Sequence, residues 1–244
     1  MNLSDSTILI TGASSGIGAA TARRAAHHGA TLALIARQTR ALEAVTADIQ
    51  AEGGTAHFFP ADLSDPAQVA SVSERVRAAL GVPTVIVNNA GSGVWRPATE
   101  TSAEALQQMM AVPTLAAFNL THSFAEDMLA RGYGRVVNVN SVAGYLAWPG
   151  AAGYIAVRHA LRGFTDALRT EFHGSGVGVS EVVLGTVDSP YWTNNPDSAR
   201  HLPKRLPGIM PVLTSDDAAA LVLKAITRER DRIVAPPVFR LLFL

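Results

Sequence analysis

A glycine-rich turn directly after a short apolar segment constrains the fold of this chain more than any other feature. Residues 7–11 read Thr-Ile-Leu-Ile-Thr, a β-branched and apolar run that is typical of a buried parallel strand. Glycines follow at positions 12, 16 and 18, and the next residues, rich in Ala and Arg, form a helical pattern. The turn therefore joins a strand to a helix, where the backbone must bend sharply and can approach a ligand closely.

The start of that helix predicts a binding site for a pyrophosphate. Unpaired N–H groups and the partial positive charge of a helix N-terminus both favour such an anion. An ordinary glycine-rich loop is the alternative, and the position after the first strand argues against it. We expect cofactor contacts from the residues of this turn: Gly12, Ser14, Ser15, Gly16, Ile17 and Gly18.

Composition narrows the class of protein. The chain has 244 residues, 48% of them hydrophobic, and its 20 basic and 20 acidic side chains give a formal net charge of zero. The length suits one large α/β domain, and the balanced charge argues against a nucleic-acid partner. Cysteine is absent and the histidines lack the spacing of metal ligands, so no metal site is expected. The short polar N-terminus and the lack of an apolar run of about 18 residues predict a cytoplasmic protein.

The last residues of the sequence are unusually apolar. Residues 236–244 read Pro-Pro-Val-Phe-Arg-Leu-Leu-Phe-Leu, and five of the last six are apolar. One interpretation is a tail that docks on the core or on a partner subunit. The alternative is a peripheral membrane contact through this tail, or the start of a truncated hydrophobic segment.

Apolar runs alternate with amphipathic stretches along the chain. This alternation predicts one Rossmann-type, doubly wound α/β domain over residues 1–244, with a parallel sheet of about seven strands and helices on both faces. The segment 189–211 breaks the rhythm with five prolines, and we expect an irregular substrate loop there. The predicted strands are 7–11, 31–36, 55–59, 84–88, 134–139, 178–184 and 232–235, and the predicted helices are 16–28, 39–52, 65–80, 103–130, 153–174 and 215–228.

The end of the second predicted strand indicates which dinucleotide the chain prefers. An acidic residue there would bind the ribose hydroxyls of NAD and repel a 2′-phosphate, but Ala36 is followed by Arg37, with Arg40 nearby. A guanidinium can bind a phosphate through two hydrogen bonds and stack on adenine. We therefore expect NADP rather than NAD; the alternative is that Arg37 is only a solvated charge ahead of a helix.

An aspartate follows the third predicted strand, in the sequence Ala61-Asp62-Leu63. Its carboxylate can accept a hydrogen bond from the amino group of adenine. Asp62 can equally be a turn residue that precedes the next helix. The residues alone leave both interpretations open.

Two further segments complete a pattern that resembles a known family. Residues 88–91 read Asn-Asn-Ala-Gly, and residues 138–141 read Asn-Val-Asn-Ser. Tyr154 follows Ser141 by 13 residues. Together with the glycine turn and Asp62-Leu63, they resemble the classical short-chain dehydrogenase/reductase family in order and spacing over nearly the whole chain. The resemblance implies further cofactor contacts at Leu63, Asn89, Ala90, Gly91, Tyr154, Arg158, Gly185, Val187 and Ser189.

The resemblance also implies the chemistry. Reduction of a carbonyl needs a proton donor and a second hydrogen bond that orients the oxygen, and the family assigns these roles to residues that match Tyr154 and Ser141. The family places a lysine one helical turn after the tyrosine, but this chain has Arg158. Arginine keeps the positive charge near the tyrosine and cannot release a proton.

A second departure from the family pattern occurs in the long helix predicted over 103–130. The family has a catalytic asparagine eight residues before a threonine, and counting back from Thr121 leads to Pro113. Proline interrupts the helical hydrogen bonds and frees the carbonyl four residues earlier, that of Met109. We therefore expect a kink and a water site without the amide side chain.

These features predict an NADP-dependent reductase or alcohol dehydrogenase for a small apolar substrate. An apolar, partly aromatic pocket is expected from residues such as Trp95, Tyr145, Trp148, Tyr191 and Trp192. The two departures motivate an alternative from another class, a cofactor-binding sensor, scaffold or subunit partner with little redox activity. A third alternative is an isomerase or dehydratase in which the nicotinamide only positions the substrate. The resemblance implies a homodimer or homotetramer.

Overall fold

Parallel strands form the centre of the protein, for which the computed structural model describes residues 1–203 and 210–243. The strands are β1 (Thr7–Thr11), β2 (Thr31–Ala36), β3 (Thr55–Pro60), β4 (Val85–Asn88), β5 (Gly134–Ser141), β6 (Val177–Leu184), β7 (Val187–Asp188), β8 (Leu213–Thr214) and β9 (Arg232–Ala235). The main sheet has seven strands in the order β3-β2-β1-β4-β5-β6-β9, and all neighbouring pairs are parallel. The predicted doubly wound parallel sheet is therefore confirmed.

Helices connect these strands and cover the sheet. They are α1 (Gly16–His27), α2 (Thr39–Ala51), α3 (Pro66–Leu80), α4 (Ala103–Met110), α5 (Ala116–Arg131), α6 (Ala152–Glu171), α7 (Tyr191–Asn194), α8 (Ser215–Thr227) and α9 (Phe239–Leu242). Across residues 1–203 and 210–243, none of them has the length and apolar character needed to cross a membrane.

The alternation of side chains along β1 explains why both faces of the sheet are covered. Ile8 and Ile10 belong to one buried cluster, which Val222 of α8 joins, whereas Leu9 belongs to a second cluster with Phe124 of α5. Successive side chains of a strand point to opposite faces, so a strand that is apolar at every position needs helices on both sides. These two clusters form the larger part of the core.

The helix predicted over 103–130 is interrupted. It divides into α4 and α5, and residues 111–115 between them form a wider π-helical turn. Val112 has non-helical backbone angles, φ −137° and ψ 115°. A kink beside Pro113 agrees with the sequence, since proline cannot donate the hydrogen bond of a regular helix.

The irregular excursion predicted over 189–211 is partly described. It contains the short helix α7 and a 3₁₀ turn over Pro196–His201. Residues 204–209, which include one of the five prolines, lie outside the described residues.

Buried amides connect the middle of the sheet to two helices. Asn88 Nδ2 on β4 donates to Asn138 Oδ1 on β5 at 2.9 Å, and Asn138 Nδ2 donates to Thr165 Oγ1 on α6 at 2.9 Å. Asn88 Nδ2 also lies 3.3 Å from Thr121 Oγ1 on α5. Because buried polar groups are costly when unpaired, this network fixes the relative position of the strands and helices that carry the site.

Substitution Asn138→Ala should destabilise the fold. It removes the two buried hydrogen bonds through which Asn138 joins Asn88 to Thr165, so we expect the free energy of unfolding to fall by about 2 kcal/mol. Chemical denaturation measures this change. Thr165→Val removes only one end of the network and should cost less, and an unfolding midpoint of Asn138→Ala equal to that of the wild type would contradict the role of the network.

Candidate active site and cofactor cleft

One cavity of about 1360 Å³ lies at the carboxyl ends of the central strands. It is the place where ligands bind in open parallel sheets. The structure brings nearly all the residues named from the sequence to its wall: Gly12, Ser14, Ser15, Gly16, Ile17, Arg37, Asp62, Leu63, Asn89, Ala90, Gly91, Ser141, Tyr154, Arg158, Gly185, Val187 and Ser189. Among the predicted contacts, Gly18 alone is not part of the lining.

Gly18 supports the turn from behind. A Cβ atom at this position would overlap the carbonyl oxygen of Gly12 and lie 2.7 Å from Asn89 Nδ2. Asn89 Nδ2 donates to Thr11 O at 2.9 Å, which ties the end of β1 to the segment after β4. The absence of a side chain at Gly18 therefore allows the helix to pack closely against the turn.

The turn presents the N-terminus of α1 to the cavity. Gly12 and Gly16 have φ values of +67° and +52°, a backbone conformation that glycine adopts without strain. Within the described residues the side chain of the capping residue, Ser15, makes no capping hydrogen bond. The first N–H groups of α1 are therefore available to an anionic ligand.

Arg37 and Asp62 lie on the wall of the same end of the cavity. Asp62 Oδ1 accepts hydrogen bonds from the backbone N–H of Ser64 at 3.0 Å and from its hydroxyl at 2.7 Å. The bond from the Ser64 N–H, the bond from its hydroxyl and the charge of Arg37 lower the pKa of Asp62. Asp62 is thus a turn residue that also faces the cavity, and its contact with adenine stays a prediction.

Ser141, Tyr154 and Arg158 come from two elements that meet at the other end. Ser141 ends β5, and its Oγ accepts a hydrogen bond from the Ala143 N–H at 3.2 Å, so that its own proton remains available for donation. Tyr154 lies in the first turn of α6 and is 6% exposed. Arg158 follows one turn later, with its Cζ 5.1 Å from the centre of the Tyr154 ring.

The Arg158 guanidinium is held between β5 and the Asn-Asn-Ala-Gly segment. Its Nη1 donates to Val139 O at 3.2 Å, and its Nη2 lies 3.1 Å from the position that a Cβ atom of Gly91 would occupy. Its Nε is buried and has no hydrogen-bond partner among residues 1–203 and 210–243. A positive group beside the cavity with an unused donor suits an oxygen-rich ligand such as the ribose of a dinucleotide.

The helix kink also borders the cavity, through Ala111 and Val112. The sequence pointed to the Met109 carbonyl as the group that proline frees, and at the kink it is Val112 that leaves the helical pattern. The Val112 carbonyl accepts hydrogen bonds from the Ser92 N–H at 3.4 Å and from the Ser92 hydroxyl at 3.0 Å. The kink is therefore joined to the loop that follows the Asn-Asn-Ala-Gly segment.

Aromatic side chains enclose Tyr154. Trp95 is 6% exposed, and its ring centre lies 5.2 Å from that of Tyr154 and 5.3 Å from that of Trp148. Its Nε1 donates to the hydroxyl of Tyr191 at 3.0 Å, and that hydroxyl donates to Gly93 O at 2.9 Å. Burial, and then the neighbouring Tyr154, raise the pKa of Tyr191 above its usual range, although Arg158 and the hydrogen bond with Trp95 oppose this shift.

The structure corrects the expected position of Tyr145 and shows where the apolar tail lies. Tyr145 does not line the cavity, because its hydroxyl donates to the buried Glu181 and its ring stacks on Phe243, with ring centres 4.2 Å apart. The described part of the apolar tail docks on the core through this stack, and Phe239 of the tail lines the cavity. The sequence identified the tail as apolar but not its place beside the site.

The polar residues Gln107 and Gln108 also line the cavity, although they were not predicted from the sequence. Both lie on α4, six and five residues before Pro113, in the part of the helix that precedes the kink. Their position relative to Pro113 is the signal from which they could have been found.

Comparison with known proteins agrees with this geometry. The family model described as short chain dehydrogenase matches residues 6–199. The chain belongs to the short-chain dehydrogenase/reductase family. It is similar to an uncharacterized oxidoreductase of Mycobacterium tuberculosis, with 36% identity over 245 residues that cover 96% of this chain and 69% of the relative. Members of this family act on small-molecule substrates and are commonly oligomeric.

Solved structures of the family extend the likeness to the cofactor. A short-chain dehydrogenase from Sphingobium yanoikuyae in complex with NADPH has a TM-score of 0.85 and 29% identity, covering 95% of this chain and 88% of the other. A family member from Burkholderia phymatum in complex with NAD has a TM-score of 0.88 and 26% identity, covering 100% and 93%. The chain is thus an oxidoreductase of this family, and a nicotinamide cofactor is supported.

Substitution Gly18→Ala should impair cofactor binding without unfolding the protein. The added methyl group overlaps the Gly12 carbonyl, so the turn must open, and we expect the affinity for NADPH to fall about tenfold or more. Titration of the nicotinamide fluorescence measures it. The matched control is Gly163→Ala on α6, where a Cβ atom meets nothing within 4 Å. Equal affinity in both variants would show that the turn does not hold the dinucleotide.

Proposed function

We propose that this protein is an NADP(H)-dependent oxidoreductase that interconverts a carbonyl and an alcohol on a small apolar substrate. The observation that carries the proposal is the meeting of Ser141, Tyr154 and Arg158 on the wall of the cavity that also contains the glycine turn. A proton donor, an orienting hydroxyl and a fixed cation are the groups that reduction of a carbonyl requires.

The residues of the cavity fit a dinucleotide. The open N-terminus of α1 suits the pyrophosphate, and the unpaired Nε of Arg158 suits a ribose oxygen. We propose that the residues of the glycine turn, Asp62 to Leu63, Asn89 to Gly91 and Gly185 to Ser189 hold it. A bound NADPH would supply the hydride that adds to the carbonyl carbon.

Tyr154 then supplies the proton. As negative charge develops on the carbonyl oxygen, the Tyr154 hydroxyl transfers its proton to that oxygen while the Ser141 hydroxyl donates a second hydrogen bond. Once the proton has left, the phenolic oxygen carries a negative charge, which a nearby cation stabilises. Arg158, 5.1 Å from the ring, provides this cation. Because arginine keeps its proton, Tyr154 must regain one from water or through another group.

The basic residue after β2 supports the preference for NADP. No acidic side chain ends β2, and Arg37 stands exposed at the cavity wall with Arg40 on the next helix, where a 2′-phosphate of the adenosine ribose would lie.

Arg37→Ala should therefore reduce the preference for NADPH. We expect kcat/KM for NADPH to fall about tenfold, through a higher KM, while the value for NADH changes little, because only NADPH carries the phosphate. Steady-state kinetics with each cofactor measure the ratio. Arg228→Ala, an exposed residue at the end of α8 that does not line the cavity, is the control for a lost surface charge. A parallel loss for both cofactors would argue against phosphate recognition.

A second candidate function is a cofactor-binding protein with little or no redox activity, such as a sensor, a scaffold or a subunit partner. The hydrogen bonds at the kink favour it, since the Val112 carbonyl is already bound by Ser92. Arg158 cannot pass a proton either. The arginine and the hydrogen-bonded Val112 carbonyl are therefore both poor relays for a proton to Tyr154.

Variants of the reacting residues separate the two candidates. Tyr154→Phe should lower kcat at least about 100-fold with NADPH affinity nearly unchanged, because only the proton donor is removed. Arg158→Lys keeps the cation and should remain active. The measurement is NADPH consumption over aldehydes, diketones, quinones and ketosteroids. Inactive wild type together with active Arg158→Lys would instead support the second candidate, and activity retained in Tyr154→Phe would refute the proposed proton donor.

The wider organisation is proposed on the same basis. The excursion 189–211 serves as the substrate loop of a single domain over residues 1–244, since Tyr191 and Trp192 of its described part line the cavity beside Trp95 and Trp148. Their rings favour an apolar substrate.

Leu115 and Phe118 on the surface near the start of α5 are each 50% exposed, which supports a homodimer or homotetramer.

A further inference from the structure

A buried carboxylate lies directly behind the proposed catalytic residues. Glu181 on β6 is 0% exposed, and its side chain is fully hydrogen-bonded. Its Oε1 accepts from Asn140 Nδ2 at 2.8 Å, and its Oε2 accepts from Arg232 Nε at 3.0 Å and from the Tyr145 hydroxyl. None of these groups takes part in the reaction proposed above, although a buried charge is costly unless it is paired.

Asn140 connects this carboxylate to both elements of the site. Its Nδ2 also donates to the backbone carbonyl of Arg158 at 3.2 Å, and its Oδ1 accepts from the backbone N–H of Ser141 at 2.8 Å. One amide therefore touches the strand end that carries Ser141 and the helical turn that carries Arg158. Gly144 makes room for this contact, since a Cβ atom there would lie 2.8 Å from Asn140 Nδ2 and 3.0 Å from Arg158 O.

The partners of Asn140 allow only one orientation of its amide. A carboxylate and a backbone carbonyl can only accept hydrogen bonds, and a backbone N–H can only donate one. A flipped amide would place its oxygen against two acceptors and its NH₂ group against a donor. Glu181 selects the orientation strongly, because hydrogen bonds to an ionised group are stronger than neutral ones.

We propose that Asn140 and Glu181 are positioning residues, in which the buried carboxylate orients the amide and the amide holds Ser141 and the Arg158 turn of α6 at a fixed separation. The inference rests on the proposed function, because it gives Ser141 and Arg158 their roles. Other bonds also join β5 to α6, from Arg158 Nη1 to Val139 O and from Asn138 to Thr165, but the Asn140 amide is the group that contacts both the Ser141 backbone N–H and the Arg158 carbonyl. Reacting groups lose much of their rate when displaced by about 1 Å.

Substitutions at either residue should affect turnover more than cofactor affinity. Asn140→Ala removes the hydrogen bonds to the Ser141 N–H and to the Arg158 carbonyl. Glu181→Gln replaces one carboxylate oxygen by an NH₂ group, which then faces either Asn140 Nδ2 or Arg232 Nε, and both of these atoms are donors. We expect kcat to fall about tenfold or more in each, with NADPH affinity within about threefold of the wild type.

Tyr145→Phe is the matched control. It removes a hydrogen bond from the same buried carboxylate, but on the Oε2 side, and leaves the bond between Oε1 and Asn140 intact. Tyr145 lies outside the lining of the cavity. A positioning role predicts a lower melting temperature with kcat within about twofold of the wild type. Equal losses of kcat in all three variants, or unchanged kcat in Asn140→Ala and Glu181→Gln, would show a merely structural role and overturn the proposal.

Hydrogen exchange at the Ser141 amide tests the positioning role without any measurement of turnover. The Ser141 amide proton is protected by Asn140 Oδ1, so its hydrogen exchange, followed by NMR, should accelerate in Asn140→Ala and Glu181→Gln but not in Tyr145→Phe. Should the wild type reduce no carbonyl, the proposed function fails, and the exchange rates still test the positioning role. Unchanged exchange at Ser141 in the first two variants overturns it.

Discussion

The reversal of strand order beside β1 is the constraint on which the rest of the structure depends. β1 has β2 on one side and β4 on the other, so the connections leave in opposite directions and a crevice opens above the carboxyl ends of these strands. The glycine turn follows β1, Arg37 follows β2 and the Asn-Asn-Ala-Gly segment follows β4. Residues far apart in the chain thus reach one cavity because their strands all end at the same edge of the sheet.

Within that cavity, the position of one cation has the largest chemical consequence. The guanidinium of Arg158 is fixed by the Val139 carbonyl and by the close approach of Gly91, and it faces the ring of Tyr154. A charge held in place in a partly buried site stabilises a developing phenolate without reorganising. It supplies no proton, and this separates electrostatic support from proton transfer, two tasks that a lysine at this position could combine.

The sequence was sufficient for the sheet, because apolar periodicity is a local pattern, and the family resemblance pointed to many of the residues that line the cavity. Apolar periodicity placed strands such as β1 and β2 at their observed residues, and proline indicated the kink beside Val112. Contacts between distant segments were not accessible in this way. Tyr145 was expected in the pocket, but its hydroxyl meets Glu181, 36 residues away, on a neighbouring strand. The orientation of Asn140 likewise depends on β6 and α6, and no short motif encodes it.

The hydrogen bonds of the buried Trp95 bear on which step limits the turnover rate. Trp95 is joined to the excursion after β7 through its own backbone N–H, which donates to Ser198 Oγ at 3.1 Å, and through its indole, which donates to Tyr191. These two hydrogen bonds hold the described part of the excursion against Trp95, whose ring packs on Tyr154. If the excursion must loosen for the proposed substrate to enter and its product to leave, this loosening is a physical gate that precedes and follows the chemistry. A viscosity-dependent turnover rate, rather than a deuterium isotope effect, would be the kinetic signature of such a gate.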